Sequence, residues 1–145
     1  MIDVKIKILS EFAKMPEYAT DGSLGMDLSA AIDAPVTIKA GERQLIPLGF
    51  AIKIPEGYGA FVFPRSGLSF KQGITMCNSV GVIDTDYTGE VKVAAINVSK
   101  EDYTINPGDR IAQLVFLPVE KAKLFIAETL ESTERGAGGF GSTGK

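Results

Sequence analysis

Most of this chain consists of short stretches in which apolar and polar residues alternate, separated by turn residues. Residues 4–8 and 36–39 alternate with a period of two, which is typical of strands that bury one face. Further apolar-rich runs lie at 43–54, 59–63, 90–97, 103–105 and 110–119, and residues 121–129 alternate more loosely. Because turn residues interrupt these runs about every ten positions, the pattern predicts an all-β sandwich or barrel.

Helical patterning is confined to one short segment. Residues 66–73 favour one or two helical turns, with Ser66 as the predicted N-cap and Gly73 at the C-terminal end. The run 111–114 also allows a helix to start, but Pro107 before it and the β-branched residues after it favour a strand. We therefore expect at most one short helix.

The last fifteen residues differ in character from the rest of the chain. Residues 135–145 contain five glycines in eleven positions, too little apolar surface to order the segment alone. The sequence predicts a core domain over 1–130 and a flexible arm over 131–145. Composition alone favours a frayed tail, whereas Arg135 and Phe140 among glycines and hydroxyls suggest a flap that orders on a ligand. Residues 139–145 match the start of a P-loop, but a P-loop also needs a Ser or Thr directly after the lysine and a helix behind it, and the sequence ends at Lys145, so we do not assign one.

The absence of histidine narrows the possible chemistry. The chain has 145 residues, no histidine and one cysteine, Cys77, which excludes Ser-His-Asp triads, Cys-His dyads and histidine-containing zinc sites within it. A general base must be a carboxylate, Lys, Tyr or Cys77, and a metal would be a hard ion held by oxygen ligands. Next to apolar Ile74 and Met76, Cys77 is expected to be a small core residue.

Charge and hydropathy set the expected surroundings. The net charge of -3 disfavours nucleic-acid binding by bulk electrostatics, although a local arginine cluster could bind phosphates. No apolar run approaches the roughly 18 residues that would span a bilayer. The alternating N-terminus is typical of a strand and not of a signal peptide. We expect no membrane partner and a cytoplasmic location, or a nuclear or organellar one in a eukaryote.

Two segments carry candidate chemistry of their own. In residues 63–67, Arg65 and Ser66 lie where a strand ends and a helix starts, which favours an anion site as much as a capped helix with a surface arginine. In residues 78–90, Asp84 and Asp86 would share one face of a hairpin, with Tyr87 directly after them. The apolar residues before Asp84 favour a partly buried carboxylate; a solvated turn is the alternative.

Two further segments are ambiguous when taken singly. Asp27 lies among small and apolar residues, and Arg110 and Gln113 follow a Pro-Gly-Asp turn at the start of a strand. Such residues are more often structural than functional.

Five segments, taken together and in order, resemble the five motifs of the trimeric dUTPases, the deoxyuridine triphosphate nucleotidohydrolases. The matching segments are 25–30, 64–74, 78–90, 107–114 and 135–144. One motif would be a weak signal, whereas five in order across most of the chain are specific. Met26 and Thr88 stand where the family commonly has an aromatic residue and an arginine, and neither is expected to act in catalysis.

The resemblance implies a distorted jelly-roll or β-clip barrel that forms a homotrimer. Active sites would lie between subunits, and the tail of one chain would close over a site built by its neighbours. The implied reaction is hydrolysis of dUTP to dUMP and pyrophosphate by water attack on the α-phosphorus. This reaction limits uracil incorporation into DNA and supplies dUMP for thymidylate synthesis. The implied cofactor is Mg²⁺.

The resemblance also implies residue roles. Asp84 would orient and deprotonate the attacking water, and Asp27 would hold Mg²⁺ through water molecules. Asn78 would face uracil, Tyr87 would pack on the deoxyribose, and Phe140 would stack on the base. The implied substrate-binding residues are Arg65, Ser66, Gly67, Asn78, Gly81, Tyr87, Gln113, Arg135, Phe140, Gly141, Ser142 and Thr143.

Two alternative functions remain open on the sequence alone. A dCTP deaminase-like enzyme shares the fold and several motifs, but its chains are longer and lack the Gly-Phe-rich tail. A non-enzymatic jelly-roll protein with a regulatory or binding role is permitted by composition. It leaves unexplained why the anion-site turn, the paired acids and the glycine-rich tail occur together.

Overall fold

A computed structural model of the protein describes residues 1–139 and shows a β fold with one short helix in that range. The elements are β1 (Lys5–Ile8), β2 (Glu17–Tyr18), β3 (Met26–Ser29), β4 (Val36–Ile38), β5 (Arg43–Pro47), β6 (Phe50–Lys53), β7 (Tyr58–Pro64), α1 (Ser66–Gln72), β8 (Ile74–Met76), β9 (Gly81–Ile83), β10 (Lys92–Asn97), β11 (Tyr103–Ile105) and β12 (Arg110–Pro118).

The strands form four antiparallel sheets in which strands close in sequence are seldom partners. The largest sheet has the order β2-β3-β12-β7-β9, and a three-stranded sheet has the order β5-β10-β8. Two pairs, β1-β6 and β11-β4, complete the fold. Long connections between non-consecutive partners are the mark of a jelly roll rather than a simple meander.

Strand β12 lies between β3 and β7, in the region where candidate residues meet. Its register places Gln113 opposite Asp27 of β3 on one side and opposite Phe63 of β7 on the other. A bulge between Arg110 and Ala112 shifts the β3 pairing, and such irregularities re-aim side chains next to functional sites.

The core follows from the alternation within the strands. In β10, every second residue is buried, as expected for a strand with one face against the core. The cluster of buried apolar side chains includes Leu28, Ile46, Phe50 and Leu114. Burying each such side chain contributes about 1.5–3 kcal/mol, so the core supports a rigid frame for the site.

Asn97 is the only buried polar residue within residues 1–139. Its amide nitrogen donates to the carbonyl oxygens of Ile38 (2.9 Å) and Glu101 (2.7 Å), and its oxygen accepts from the backbone and hydroxyl of Ser99. Because every polar atom of the side chain has a partner, the buried amide costs little and fixes the loop beside α1.

The strand predictions are largely confirmed, with two exceptions. The run 43–54 is divided into β5 and β6 at Gly49, whose φ of 72° suits glycine and whose added Cβ would lie 2.8 Å from that of Ala13. The loose alternation over 121–129 was wrong as a strand signal, because that segment is exposed and has no regular structure. Alternation without a partner strand does not make a sheet.

Two predictions about single residues are wrong. Ser66 is the first helical residue, the N-cap position belongs to Arg65, and no side chain caps the helix; Gly73 does end it, with φ 67°. Cys77 is exposed and lies just after β8, where its backbone bonds Ala94 while its side chain faces outward. Across residues 1–139, no helix is long and apolar enough to cross a membrane.

Candidate active site

Arg65 and three further substrate-binding candidates border one cleft of about 630 Å³ at the end of β7. Three cationic side chains, Arg65, Lys71 and Arg110, face one carboxylate, Asp27. The cleft is therefore net positive, which suits an anionic ligand. Its other candidate residues are Ser66, Gly67 and Gln113.

Asp27 holds the two arginines of this cleft. Its Oδ1 lies 3.1 Å from Nε of Arg65, and its Oδ2 accepts from Nη1 of Arg110 at 2.8 Å. Arg65 also donates through Nη1 to the carbonyl oxygen of Arg110 at 3.0 Å. A guanidinium has five donors, so this arrangement fixes Arg65 while its remaining N–H groups stay available to a phosphate.

Gln113 is held at the back of the same cleft. Its Nε2 donates to the carbonyl oxygen of Pro64 at 3.0 Å, next to Arg65. An added Cβ at Gly25 would lie only 2.6 Å from Oε1 of Gln113, so only glycine fits there without moving the amide. The motif around Gly25 thus shapes the position of a side chain on β12, far along the chain.

Ser66 and Gly67 form the first turn of α1 and are exposed to the cleft. The Ser66 hydroxyl does not cap the helix and can bind a ligand. Tyr103 borders the cleft on the other side, and burial, with a smaller contribution from the negative charge of Asp109, raises the pKa of its hydroxyl above 10.0. The Tyr103 side chain therefore stays uncharged at physiological pH.

A second cleft of about 310 Å³ brings together Asn78, Gly81, Asp84 and Tyr87. It shares no lining residue with the first cleft. Apolar Val62 and Ile83 also line it, so it offers an apolar body with a few polar groups, as small-molecule sites do. The hairpin around β9 thus supplies a site separate from the arginine cleft.

Asp84 does not have the predicted partly buried position. It is exposed, because β9 ends at Ile83 and the chain turns at Thr85 and Asp86 directly afterwards. Asp84 and Asp86 also do not share the face of a strand, and only Asp84 borders the second cleft. Within residues 1–139, no side chain hydrogen-bonds the Asp84 carboxylate, so its oxygens can accept from a water molecule.

The turn that carries Asp84 is tied to its surroundings on both sides. Nζ of Lys53, on β6, donates to the carbonyl oxygen of Thr85 at 2.7 Å. The Tyr87 hydroxyl donates to the carbonyl oxygen of Glu90 at 2.8 Å. These contacts fix the backbone and the aromatic ring next to the carboxylate.

Of the C-terminal candidates, the structure describes only Arg135, which borders neither cleft. Arg135 is exposed and donates through Nε to the carbonyl oxygen of Gly138 at 2.9 Å, within its own segment. Phe140, Gly141, Ser142 and Thr143 lie outside the described residues.

A metal ion would find few direct protein ligands here. Within residues 1–139, no group of three or more acidic or cysteine side chains converges on one point. Both Asp27 oxygens already bind arginines, which favours contact with an ion through water molecules over direct ligation. These residues fit an ion that arrives on the phosphates of a nucleotide, and not one held by a cage of protein side chains.

Sequence reasoning does not single out three residues that the structure connects to the site. Arg110 has a structural interpretation when its segment is taken singly, although it binds Asp27 and borders the first cleft. Lys53 lies in an ordinary strand pattern, which carries no signal of function, and Glu90 ends the motif segment 78–90 without a role of its own in the sequence analysis. Of the three, only Arg110 and Glu90 lie within motif segments that could have indicated a role.

The fold and the two clefts define a β-barrel protein suited to an anionic ligand with an apolar, hydrogen-bonding end. The family model for dUTPase matches residues 11–144. The chain belongs to the dUTPase family. The expected family, the β fold and dUTP hydrolysis as the activity are thereby confirmed, and nothing favours a deaminase or a non-enzymatic protein.

Relatives and solved structures agree with this assignment. A deoxyuridine 5'-triphosphate nucleotidohydrolase of Rickettsia bellii is 58% identical over 142 residues, covering 97% of this chain and 95% of the relative. One of Desulfitobacterium hafniense is 50% identical and covers 99% of both chains. The dUTPase of Staphylococcus bacteriophage 80alpha with dUPNHPP is 30% identical over the whole of both chains, with a TM-score of 0.91.

A further solved structure bears on the metal. A mutant dUTPase from phage phi11 of S. aureus coordinates a structural Mg(II) ion. It is 29% identical, covers 90% of this chain and all of the phage chain, and has a TM-score of 0.82.

Proposed function

We propose a mechanism by which this dUTPase hydrolyses dUTP to dUMP and pyrophosphate, with Asp84 as the general base. The Asp84 carboxylate accepts a proton from a water molecule while the water oxygen bonds to the α-phosphorus. The bond from the α-phosphorus to the bridging oxygen of the β-phosphate breaks, and its electron pair leaves with pyrophosphate. The exposed carboxylate at the edge of the second cleft supports this role.

The nucleoside end of the substrate binds in the second cleft. Asn78 and the backbone around Gly81 hydrogen-bond the polar edge of uracil, and Tyr87 packs on the deoxyribose. A ribose 2′-hydroxyl would meet the Tyr87 ring, and cytosine would leave the cleft's polar groups unpaired. The support for this assignment is that Asn78, Gly81, Asp84 and Tyr87 line one cavity with apolar walls.

The phosphate end binds in the first cleft. Arg65, Ser66, Gly67 and Gln113 bind phosphate oxygens and stabilise the charge that develops on pyrophosphate. The net positive lining supports this assignment. Mg²⁺ bound with dUTP would neutralise phosphate charge, and Asp27 would hold the ion through water molecules.

A complete site forms between copies of the chain in a homotrimer. The two clefts share no lining residue within a single chain. This separation supports a site in which the phosphate cleft of one copy works with the nucleoside cleft of another. In the segment after β12, four large apolar side chains are each at least 85% exposed, as expected of a surface that another subunit covers. Those side chains are Leu124, Phe125, Ile126 and Leu130.

Residues 131–145 form an arm that closes over the bound nucleotide. Arg135, Ser142 and Thr143 bind phosphate oxygens, the backbone of Gly141 approaches the nucleotide closely, and Phe140 stacks on uracil. Stacking of this kind contributes about 1–3 kcal/mol per base. The glycine-rich sequence supports an arm that orders only on its ligand.

The observation that carries the proposal is the pairing of an arginine-lined cleft with a separate cleft bordered by Asp84 and Tyr87. The reaction limits uracil incorporation into DNA and supplies dUMP for thymidylate synthesis. We expect it to occur in the cytoplasm, which the lone cysteine and the bacterial relatives support. We expect no membrane or nucleic-acid partner.

The test is a nucleotide panel with two readouts. Pyrophosphate and ammonia release are measured from dUTP, dCTP, dTTP and UTP, with Mg²⁺ present or chelated. The proposal predicts pyrophosphate from dUTP alone, strongly reduced by chelation. Ammonia release from dCTP, or equal turnover of dUTP and UTP, would contradict it.

A further inference from the structure

We propose that Gly89 and Glu90 are positioning residues for Tyr87 and thereby set the enzyme's preference for deoxyribose over ribose. This inference rests on the proposed role of Tyr87 at the sugar. It adds that the selectivity resides in how the ring is held as well as in the ring itself.

The Tyr87 side chain is held at its far end by the backbone that follows it. Its hydroxyl donates to the carbonyl oxygen of Glu90 at 2.8 Å, so the ring bends back over the intervening residues. The Tyr87 backbone N–H donates to the carbonyl oxygen of Asp84 at 3.2 Å. The residue is thus held at its backbone and at its hydroxyl, although it is about half exposed.

Gly89 provides the space in which the ring lies. An added Cβ at this position would lie 2.6 Å from the Tyr87 hydroxyl oxygen, 2.7 Å from Cζ and 3.0 Å from Cε2. These distances are shorter than van der Waals contact, so the ring lies directly on the glycine. Gly89 has no positive φ, and its backbone therefore accepts alanine without strain.

Glu90 ties this arrangement to the barrel. Its Oε1 accepts from the backbone N–H of Gly49 at 3.1 Å, at the turn between β5 and β6. Its Oε2 lies 3.4 Å from Nζ of Lys92, at the start of β10. The carbonyl oxygen that holds Tyr87 therefore belongs to a residue anchored at two points of the body.

A methyl group at Gly89 should displace the ring and leave the fold intact. The clashing atoms are at the end of a side chain, which moves at lower cost than backbone does. A displacement of about 1 Å at a positioning contact costs up to about 100-fold in rate or selectivity. A shifted ring would reopen space for the 2′-hydroxyl of UTP.

The experiment compares kcat/KM for dUTP and UTP in Gly89→Ala, with Gly22→Ala as the matched control. An added Cβ at Gly22 meets nothing within 4 Å, and its φ is not positive. We expect the dUTP/UTP selectivity of Gly89→Ala to fall about tenfold to 100-fold at unchanged elution volume and Tm. Gly22→Ala should keep the wild-type ratio.

Two further variants separate this inference from the role of Tyr87. Tyr87→Ala should lose the selectivity; if it does not, the proposed role of Tyr87 fails. Where Tyr87→Ala does lose it, adding Gly89→Ala should change nothing more. An unchanged ratio in the folded Gly89→Ala protein, or an equal further fall in the Tyr87→Ala background, would overturn the positioning role.

A variant without added volume provides an independent measurement if Gly89→Ala does not fold. Tyr87→Phe keeps the ring and removes the hydrogen bond to Glu90. We expect its selectivity to fall about threefold to tenfold, the effect of one hydrogen bond. A wild-type ratio in Tyr87→Phe would contradict the role of Glu90.

Discussion

Asp27 and Arg110 lie 83 residues apart in the sequence and 2.8 Å apart in the fold. The contact places a carboxylate on β3 against a guanidinium on the neighbouring strand β12, and the same carboxylate holds Arg65. All three groups are partly exposed, so their mutual attraction adds little to stability. These contacts instead fix the position from which the remaining N–H groups of Arg65 can bind a ligand.

Replacing Asp27 should therefore affect catalysis more than folding. In Asp27→Asn, the arginines lose the charge that orients them, and kcat/KM for dUTP should fall about tenfold to 100-fold. The free energy of unfolding should change by about 1 kcal/mol or less. Steady-state kinetics and urea denaturation measure the two effects. Asp33→Asn, an exposed acid outside both clefts, is the control, and equal kcat/KM in both variants would contradict the prediction.

Asp84→Asn tests the general base. The amide cannot take the proton from water, so kcat should fall by about 10²–10⁴ while affinity for an unhydrolysable dUTP analogue stays within a few-fold. Calorimetric titration with the analogue gives the affinity. Asp86→Asn is a close control, because Asp86 lies two residues away and does not border the second cleft. Near-normal turnover in Asp84→Asn would remove Asp84 from the mechanism.

Much of the fold can be predicted from local sequence, because a strand that buries one face has alternating apolar and polar residues. The pattern predicts β1, β4 and β12 close to their observed bounds. Burial is harder to predict. Cys77 follows buried Met76 but points outward, and Asp84 follows buried Ile83 but lies at the start of a turn.

The site residues are found through motifs, whereas their contacts depend on strand register. No local rule pairs Asp27 with Arg110, because that pairing requires β3 and β12 to be neighbours and a bulge to shift their register. The Lys53 contact to Thr85 is likewise set by where β6 lies relative to the turn after β9. Such long-range geometry is a property of the assembled barrel.

Lys53 should act as a positioning residue for the Asp84 turn. Lys53→Met removes the donor to the Thr85 carbonyl oxygen, and kcat should fall about threefold to tenfold with little change in KM. Lys53→Arg should restore part of the rate, because it can donate to the same oxygen. Lys7→Met, on the neighbouring strand β1 and also exposed, is the control. A wild-type kcat in Lys53→Met would show that the Asp84 turn does not depend on the Lys53 hydrogen bond.

Deletion of residues 131–145 tests the arm. The truncated protein should lose at least about tenfold to 100-fold in kcat/KM, the range expected from losing one base-stacking contact. Its elution volume and scattering mass should still correspond to a trimer, because the arm is proposed to close the site and not to hold subunits together. Phe140→Ala isolates the stacking contribution. Full activity in the truncated enzyme would contradict the proposal that this arm closes over the bound nucleotide.

The most direct test of the central claim combines two inactive variants in one trimer. Arg65→Ala removes an arginine from the phosphate cleft, and Asp84→Asn removes the general base. The two variant chains are co-expressed with different affinity tags. Trimers that contain both chains are then isolated by two successive affinity steps. If Arg65 of one chain works with Asp84 of another, every hybrid trimer contains one intact site and should show about one third of wild-type kcat per trimer. Hybrids no more active than the two parent variants would contradict a site shared between subunits.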